Sequence, residues 1–533
     1  MKKLYISAII ALAASTLGTH AQTTQEEKDF RKWEEVIASD SFGGRAPLTP
    51  YETKTINYIA DQFKSLGLQP ANGESYFQNV PLLKVATKPA GDAIHVKAKN
   101  GKVVLKNWDD LIITSVRGKK NVNIPKADFV FAGFGINAPE YGWNDYKDLD
   151  VKNKIVVVLV NDPGYYNPSL FKGKDMTYYG RWIYKFEEPS RQGAAGVLVV
   201  HDTEPASYGW NVVQASWGSK NLSLVSDKGN TDKVALQGWI SLPATQRLFQ
   251  AAGVDFEKAV AAAKQPGFKA IDLKAESNIK LKNDVYIANS HNVAAVLPGT
   301  TKKDEYLIYS AHWDHFGIQK PVNGDSIYNG ASDNASGVAA LLVLAKKFAS
   351  QKTRPERSIL FLSVTAEEAV LLGSEYYAQH PLVPLKNTVA NLNIDGCAPQ
   401  SKVKDVIIRG YGDTNTDQLV EETAAAQGRT VEQAKKQSSG SYFRSDHFSF
   451  AKVGVPVILT EGGHDFINPE DANRYKGPRT YHMPQDEYSP SWDVSGTVDD
   501  INLWYAIGLR IAHGDFTPEW TSQSPWKDKR QDN

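Results

Sequence analysis

The chain has 533 residues, 41% of them hydrophobic and 23% charged, with 60 basic side chains balanced by 60 acidic ones. At about 100–200 residues per domain this is enough for two to four domains, and the composition excludes disordered and fibrous classes. With no net charge, no overall field directs the chain to nucleic acid or an anionic membrane.

The first residues read as a secretory signal, 1–21. Lys2 and Lys3 form the positive region, Leu4 to Ala14 the apolar region, and Thr19 and Ala21 frame a cleavage point before Gln22. The apolar run is too short to span a bilayer, which takes about 20 residues, and no later stretch is apolar enough. The expectation is an exported protein, periplasmic or extracellular, with no membrane span.

Residues 22–50 are polar. Thr49-Pro50-Tyr51-Glu52 then predicts a capped helix carrying Ile56, Ile59, Phe63 and Leu66 and stopped by Gly67. From 125 to 280 the texture predicts a separate β-rich block. Its strands are 128–136, 154–160 and 196–200, and Trp182, Trp210 and Trp217 lie in aromatic loops that supply either a pocket or the block's own core. The Gly133-Phe-Gly135 pair is no dinucleotide fingerprint, because Pro139 stands where the helix would start.

From 290 onward strands alternate with helices. Strands are predicted at 292–297, 306–310, 358–364, 388–394 and 455–460. Helices are predicted at 337–348, 367–379, 417–427 and 499–513. This alternation predicts an α/β fold with a mostly parallel sheet and helices on both faces.

In such sheets functional groups collect at the carboxyl ends of strands. There stand His312-Trp-Asp314, Ser332-Asp333-Asn334-Ala-Ser-Gly337, Glu367-Glu368 and Asn393-Ile-Asp395-Gly396, with Tyr481-His482 following later. Each has a bland rival: a satisfied histidine, a helix cap for Asp333, solvated first-turn acids for Glu367-Glu368, a turn aspartate for Asp395. Together they point to one site. Crowded carboxylates repel and raise one another's pKa unless a cation joins them. Imidazole and oxygen donors suit zinc, and the excess of acid suggests two ions about 3.5–4 Å apart sharing a carboxylate. Cys397 is the one cysteine, so neither an intrachain disulfide nor a Cys-based metal site is available. It reads as an apolar filler. His95, His201, His291, His380 and His513 match no ligand spacing.

These segments resemble, in order and spacing, the M28 family of co-catalytic zinc peptidases. Phe129 to Gly135, Asp150 to Val158 and Gly193 to Val200 resemble the protease-associated (PA) domain often inserted in those enzymes. The resemblance implies a phosphorylase/hydrolase-like mixed sheet. It assigns 22–124 and 281–533 to the peptidase domain and 125–280 to the insertion. It implies that Asp333 bridges two Zn2+ ions, with His312 and Asp395 on one and Glu368 and His482 on the other. Glu367 becomes the general base, Asp314 the acceptor that fixes the His312 tautomer, and Tyr442 the oxyanion donor. Asp446 orders its loop, His447 is structural, and Arg444 is left open between a substrate carboxylate and a neighbouring acid. The implied substrate is a peptide with a free N-terminus. A glutamate-carboxypeptidase-like hydrolase, a glutaminyl cyclase-like acyltransferase and an inactive receptor of the same fold are the rivals.

Overall fold

The computed structural model describes residues 23–530 apart from 218–220, 434–438 and 475–479. The expected signal segment, 1–21, lies outside the described residues.

One mixed sheet of 15 strands runs through the molecule. Its spine is the 27-residue strand Ile271–Leu297. On one side Arg357–Val364 pairs antiparallel with the end of this strand. Lys302–His312, Thr388–Asn393 and Val457–Ile458 then follow, each parallel to its neighbour. On the other side Asn121–Phe131 pairs antiparallel with its beginning. Lys154–Leu159, Gly196–His201 and Leu236–Ser241 follow in parallel. The expected end of the middle block, near 280, falls inside the spine strand. That block carries helices as well as strands, Trp182–Arg191 and Leu242–Ala252 among them. Pro189 sits inside the first of these, so its sequence reads as loop.

Burial on both faces explains the continuous apolar strands. Every residue of Arg357–Val364 is buried. Ile359 and Phe361 enter a core with the helices Gln25–Ile37, Pro50–Ser65, Ser336–Ala349 and Ser495–Ala512. Leu360 and Leu362 enter the opposite core with Tyr377 and Phe450.

The helix Pro50–Ser65 ends as predicted, with Gly67 at φ +79°. Its start differs from a simple capping box. Glu52 Oε2 accepts from Leu48 N at 2.6 Å, and Glu52 Oε1 lies 3.0 Å from His291 Nδ1. The helix predicted at 367–379 begins only at Leu372. Leu372 N and Gly373 N donate back to Ala366 O and Thr365 O, closing a hook in which Ala366, Val370 and Leu371 take positive φ. Glu367 and Glu368 therefore hang from a loop, not from a first helical turn.

The middle block rests on the 440–452 segment. The Tyr178 ring packs on Phe443 and Phe448, at 5.8 and 4.8 Å between centroids, and Lys452 Nζ donates to Glu187 Oε1 and Tyr178 Oη.

Candidate metal centre

The parallel strands deliver their polar residues to one sheet edge. His312 ends Lys302–His312 and is fully enclosed. Its Nε2 lies 3.1 Å from Asp333 Oδ1, 3.3 Å from Asp395 Oδ1 and 3.9 Å from Glu367 Oε2. Asp333 sits in the irregular turn Ala331–Ala335 ahead of Ser336–Ala349. Its Oδ2 lies 3.2 Å from His482 Nε2, which is also 3.3 Å from Glu368 Oε2. The two oxygens of Asp333 thus face different imidazoles. Around one stand His312 and Asp395, around the other His482 and Glu368.

Neighbouring backbone fixes this placement. Ser332 N and Asp333 N donate to the Asp486 carboxylate. Asn334 Oδ1 accepts from Gly337 N and Gly396 N, and its Nδ2 donates to Ile394 O, tying the Asp333 turn to the Asp395 loop. The helix cap considered for Asp333 is supplied by Asn334 instead. Arg45, wholly buried, donates to Ile37 O, Trp313 O, Asn329 O and Gly330 O and locks the loops beneath.

Asp314 departs from its expected contact. His312 Nδ1 is 3.1 Å from the Asp314 main-chain carbonyl but 3.7 Å from its carboxylate. The carboxylate accepts from Glu367 N at 3.0 Å and Glu368 N at 3.4 Å. The backbone bends so that the carbonyl faces the ring, and the carbonyl sets the tautomer while the side chain holds the glutamate pair.

Tyr442 lines a small cavity together with Asp413 and Asp417. Its hydroxyl is buried without a partner, and burial together with Asp413 and Asp417 holds its pKa high. Tyr481 is the tyrosine that feels the cluster. Its ring stacks on His482 at 3.7 Å, and although the residue is 64% exposed, partial desolvation with Asp333, Glu368, Asp395 and Glu367 raises its pKa. His315 is a second residue missed in the sequence, with Nδ1 2.6 Å from Glu368 Oε1. The signals were adjacency: Tyr481 precedes His482, and His315 follows His312 by three.

The remaining candidates are placed elsewhere. His447 is enclosed against the Tyr442 ring, Arg444 donates to Ser439 O, and Cys397 is buried in the main core, where burial raises its thiol pKa. Asp446 is buried, and burial pushes it up to about 7. Trp182 and Trp210 pack against the core of the middle block. The surroundings of Trp217 lie outside the described residues.

Burial and mutual repulsion shape the charges. Burial, with Asp395, Asp446 and Asp333, holds Glu367 well above the carboxylate range against the pull of His312. Burial, Asp333 and Glu367 do the same to Glu368. Burial would raise Asp333, but His312 and His482 hold it well below. Asp333 Oδ1, Glu368 Oε1, His482 Nε2 and both His315 nitrogens are buried without a hydrogen-bond partner. Buried polar atoms are seldom left so. Nitrogen and oxygen donors without thiolate fit zinc, and a cation would satisfy these atoms and remove the repulsion.

Residues 292–506 match Peptidase family M28. The matched stretch holds His312, Asp333, Glu367, Glu368, Asp395 and His482, and it begins after the middle block. Among curated relatives, Aminopeptidase NAALADL1 of Mus musculus is 33% identical over 138 residues, 24% of this chain and 17% of that protein. A Probable zinc metalloprotease of Pyricularia oryzae is 31% identical over 186 residues, 35% of each. The chain thus spans about a third or less of these relatives' lengths. Among solved structures, the aminopeptidase from Aneurinibacillus sp. strain AM-1 aligns over 92% of this chain and 94% of its own, at 20% identity and TM-score 0.49. The zinc aminopeptidase BSAP from Bacillus subtilis aligns over 95% and 98%, at 18% identity and TM-score 0.44.

Proposed function

We propose that this chain is an exported metallopeptidase that removes residues from the free N-terminus of peptides, using two Zn2+ ions. The observation that carries the reading is Asp333, whose two carboxylate oxygens each face a different imidazole–carboxylate pair. Asp333 would bridge the ions, with His312 and Asp395 holding one and Glu368 and His482 the other. When bound, the ions supply Lewis acidity for the scissile carbonyl and lower the pKa of water. Glu367 is close to this shared space without being needed as a ligand, and from there its carboxylate would take a proton from attacking water and return it to the leaving amine. Tyr442 would donate its hydroxyl to the developing oxyanion, and Tyr481, stacked on His482, is a second candidate for that role. Asp314 keeps Glu367 and Glu368 side by side through their N–H groups. The middle block is the PA-like insertion, braced on the 440–452 segment.

The test is a panel of chromogenic amino-acid amides and peptides, free and N-blocked, with and without chelator. Cleavage of the free-amine substrates that chelator stops and zinc restores is expected. Cleavage of N-blocked peptides from the carboxyl end would shift the reading to a carboxypeptidase, and zinc binding without turnover to a receptor. Glu367→Gln should retain zinc and lose about a hundredfold or more in kcat; wild-type turnover would remove Glu367 from its role.

A further inference from the structure

We infer that His315 is a positioning residue for Glu368, holding Oε1 of that carboxylate so that Oε2 stays turned toward His482. The inference rests on the reading of the cluster as a metal centre. His315 Nδ1 lies 2.6 Å from Glu368 Oε1, while Glu368 Oε2 lies 3.3 Å from His482 Nε2. The two imidazoles differ in setting. The His482 side chain is 34% exposed and shares its Nε2 contacts with Asp333. The His315 side chain has no exposure, and neither of its nitrogens has an aligned hydrogen bond, the 2.6 Å approach of Nδ1 to Glu368 Oε1 being a close charge contact instead.

The fold makes room for this ring at Gly330. Gly330 stands at φ +54°, and a Cβ there would lie 2.4 Å from His315 Cγ and 2.3 Å from Asp333 O. Arg45 Nη2 holds the Gly330 carbonyl at 2.8 Å. Phe316 closes the other side of the ring at 4.8 Å between centroids. A ring so confined fixes which oxygen of Glu368 faces the shared space. Partners that hold a ligating carboxylate typically account for 10–100-fold in metal affinity. His315, Asp333 and Glu368 also offer ligand atoms within 4.8 Å of one another, so direct ligation by His315 is the competing outcome.

The experiment titrates metal-free full-length protein with Zn2+ against a chromophoric chelator. Wild type, His315→Ala, His315→Asn, Glu368→Gln and the His315→Ala/Glu368→Gln double variant are compared, with circular dichroism as the check on folding. Asparagine places its amide nitrogen where Nδ1 stood. Wild type should bind two ions. His315→Ala should still bind two, one of them about 10–100-fold more weakly. His315→Asn should restore most of that loss. On the Glu368→Gln background, His315→Ala should leave zinc binding unchanged. Wild-type affinity in His315→Ala, or an equal loss on both backgrounds, overturns the inference. So does an ion count of one in His315→Ala, which would make His315 a ligand. If His315→Ala does not fold, His315→Asn carries the test: binding nearer to Glu368→Gln than to wild type overturns it. Wild type that binds no zinc would sink the metal-centre reading itself, a result distinct from any of these.

Discussion

Two places in this molecule bury several charged groups, and they treat them differently. In the middle block Asp162 accepts from Gly164 N, Thr177 N and Thr177 Oγ1, and Asp145 accepts from Ile136 N and Trp143 Nε1. Lys185 donates to Phe134 O at 2.7 Å, and Asp162 and Asp145 both bear on its charge. Burial drives Lys185 down to about 7 and Asp145 up to about 7. The chain answers these charges with its own donors and acceptors. At the sheet edge, Asp333 Oδ1, Glu368 Oε1 and His482 Nε2 have no such answer. The difference separates a structural charge cluster, complete in itself, from one whose geometry calls for an ion.

The largest effect that would break this contrast lies in the middle block. Lys185→Met leaves Asp145 and Asp162 without the cation that bears on both. Removing one partner of a buried charged set costs about 3–5 kcal/mol. Chemical denaturation should show that loss, while zinc affinity measured on the same variant stays as in wild type. A loss of zinc binding in step with stability would mean the two clusters are one system.

A smaller effect is expected from the metal itself. Zn2+ at a hundredfold its Kd should stabilise metal-free protein by about 2.7 kcal/mol through preferential binding to the folded state. Asp333→Ala should abolish that gain, because it removes the carboxylate common to both halves. Thermal unfolding with and without zinc reads both. A zinc-induced gain that survives in Asp333→Ala would place the binding elsewhere.

Much of the sheet edge was legible because strand ends and glycine turns punctuate the chain: His312, Asp333, Glu367, Glu368, Asp395 and His482 all fall just after predicted strands or in predicted loops. Their side-chain partners were less so. Spacing put Asp314 beside His312, but whether its carbonyl or its carboxylate reaches the ring depends on a backbone bend that no spacing encodes. His315 sat in the same short run and became visible only when Gly330 gave its ring a seat. Two elements carried readable signals that polar composition concealed. Thr24 caps Gln25–Ile37 by accepting from Glu27 N, and Phe30, Trp33 and Ile37 recur at helical spacing among charged residues. The spine strand hides its period of two, Leu273, Ala275, Ser277, Ile279 and Leu281, between lysines and acids.

His447 offers the finest test of the contrast, since it belongs to neither class. It is fully buried, its ring packs on Tyr442 at 4.9 Å, and neither ring nitrogen has an aligned hydrogen bond. Burial, offset only in part by the nearby backbone of Tyr442, pushes its pKa down to about 3 from 6.5. The folded protein therefore binds fewer protons here than the unfolded chain between pH 6.5 and 3. Stability from this group is complete above pH 6.5 and is lost as pH falls toward 3. At pH 5 the loss is about 2 kcal/mol, the gap of roughly one and a half pKa units at 1.36 kcal/mol each. His447→Gln fills similar space and cannot ionise, so its stability should fall by about 2 kcal/mol less than wild type between pH 7 and pH 5. Parallel curves for the two proteins would mean that His447 finds a proton acceptor in the folded state, and that it belongs with the answered charges of the middle block.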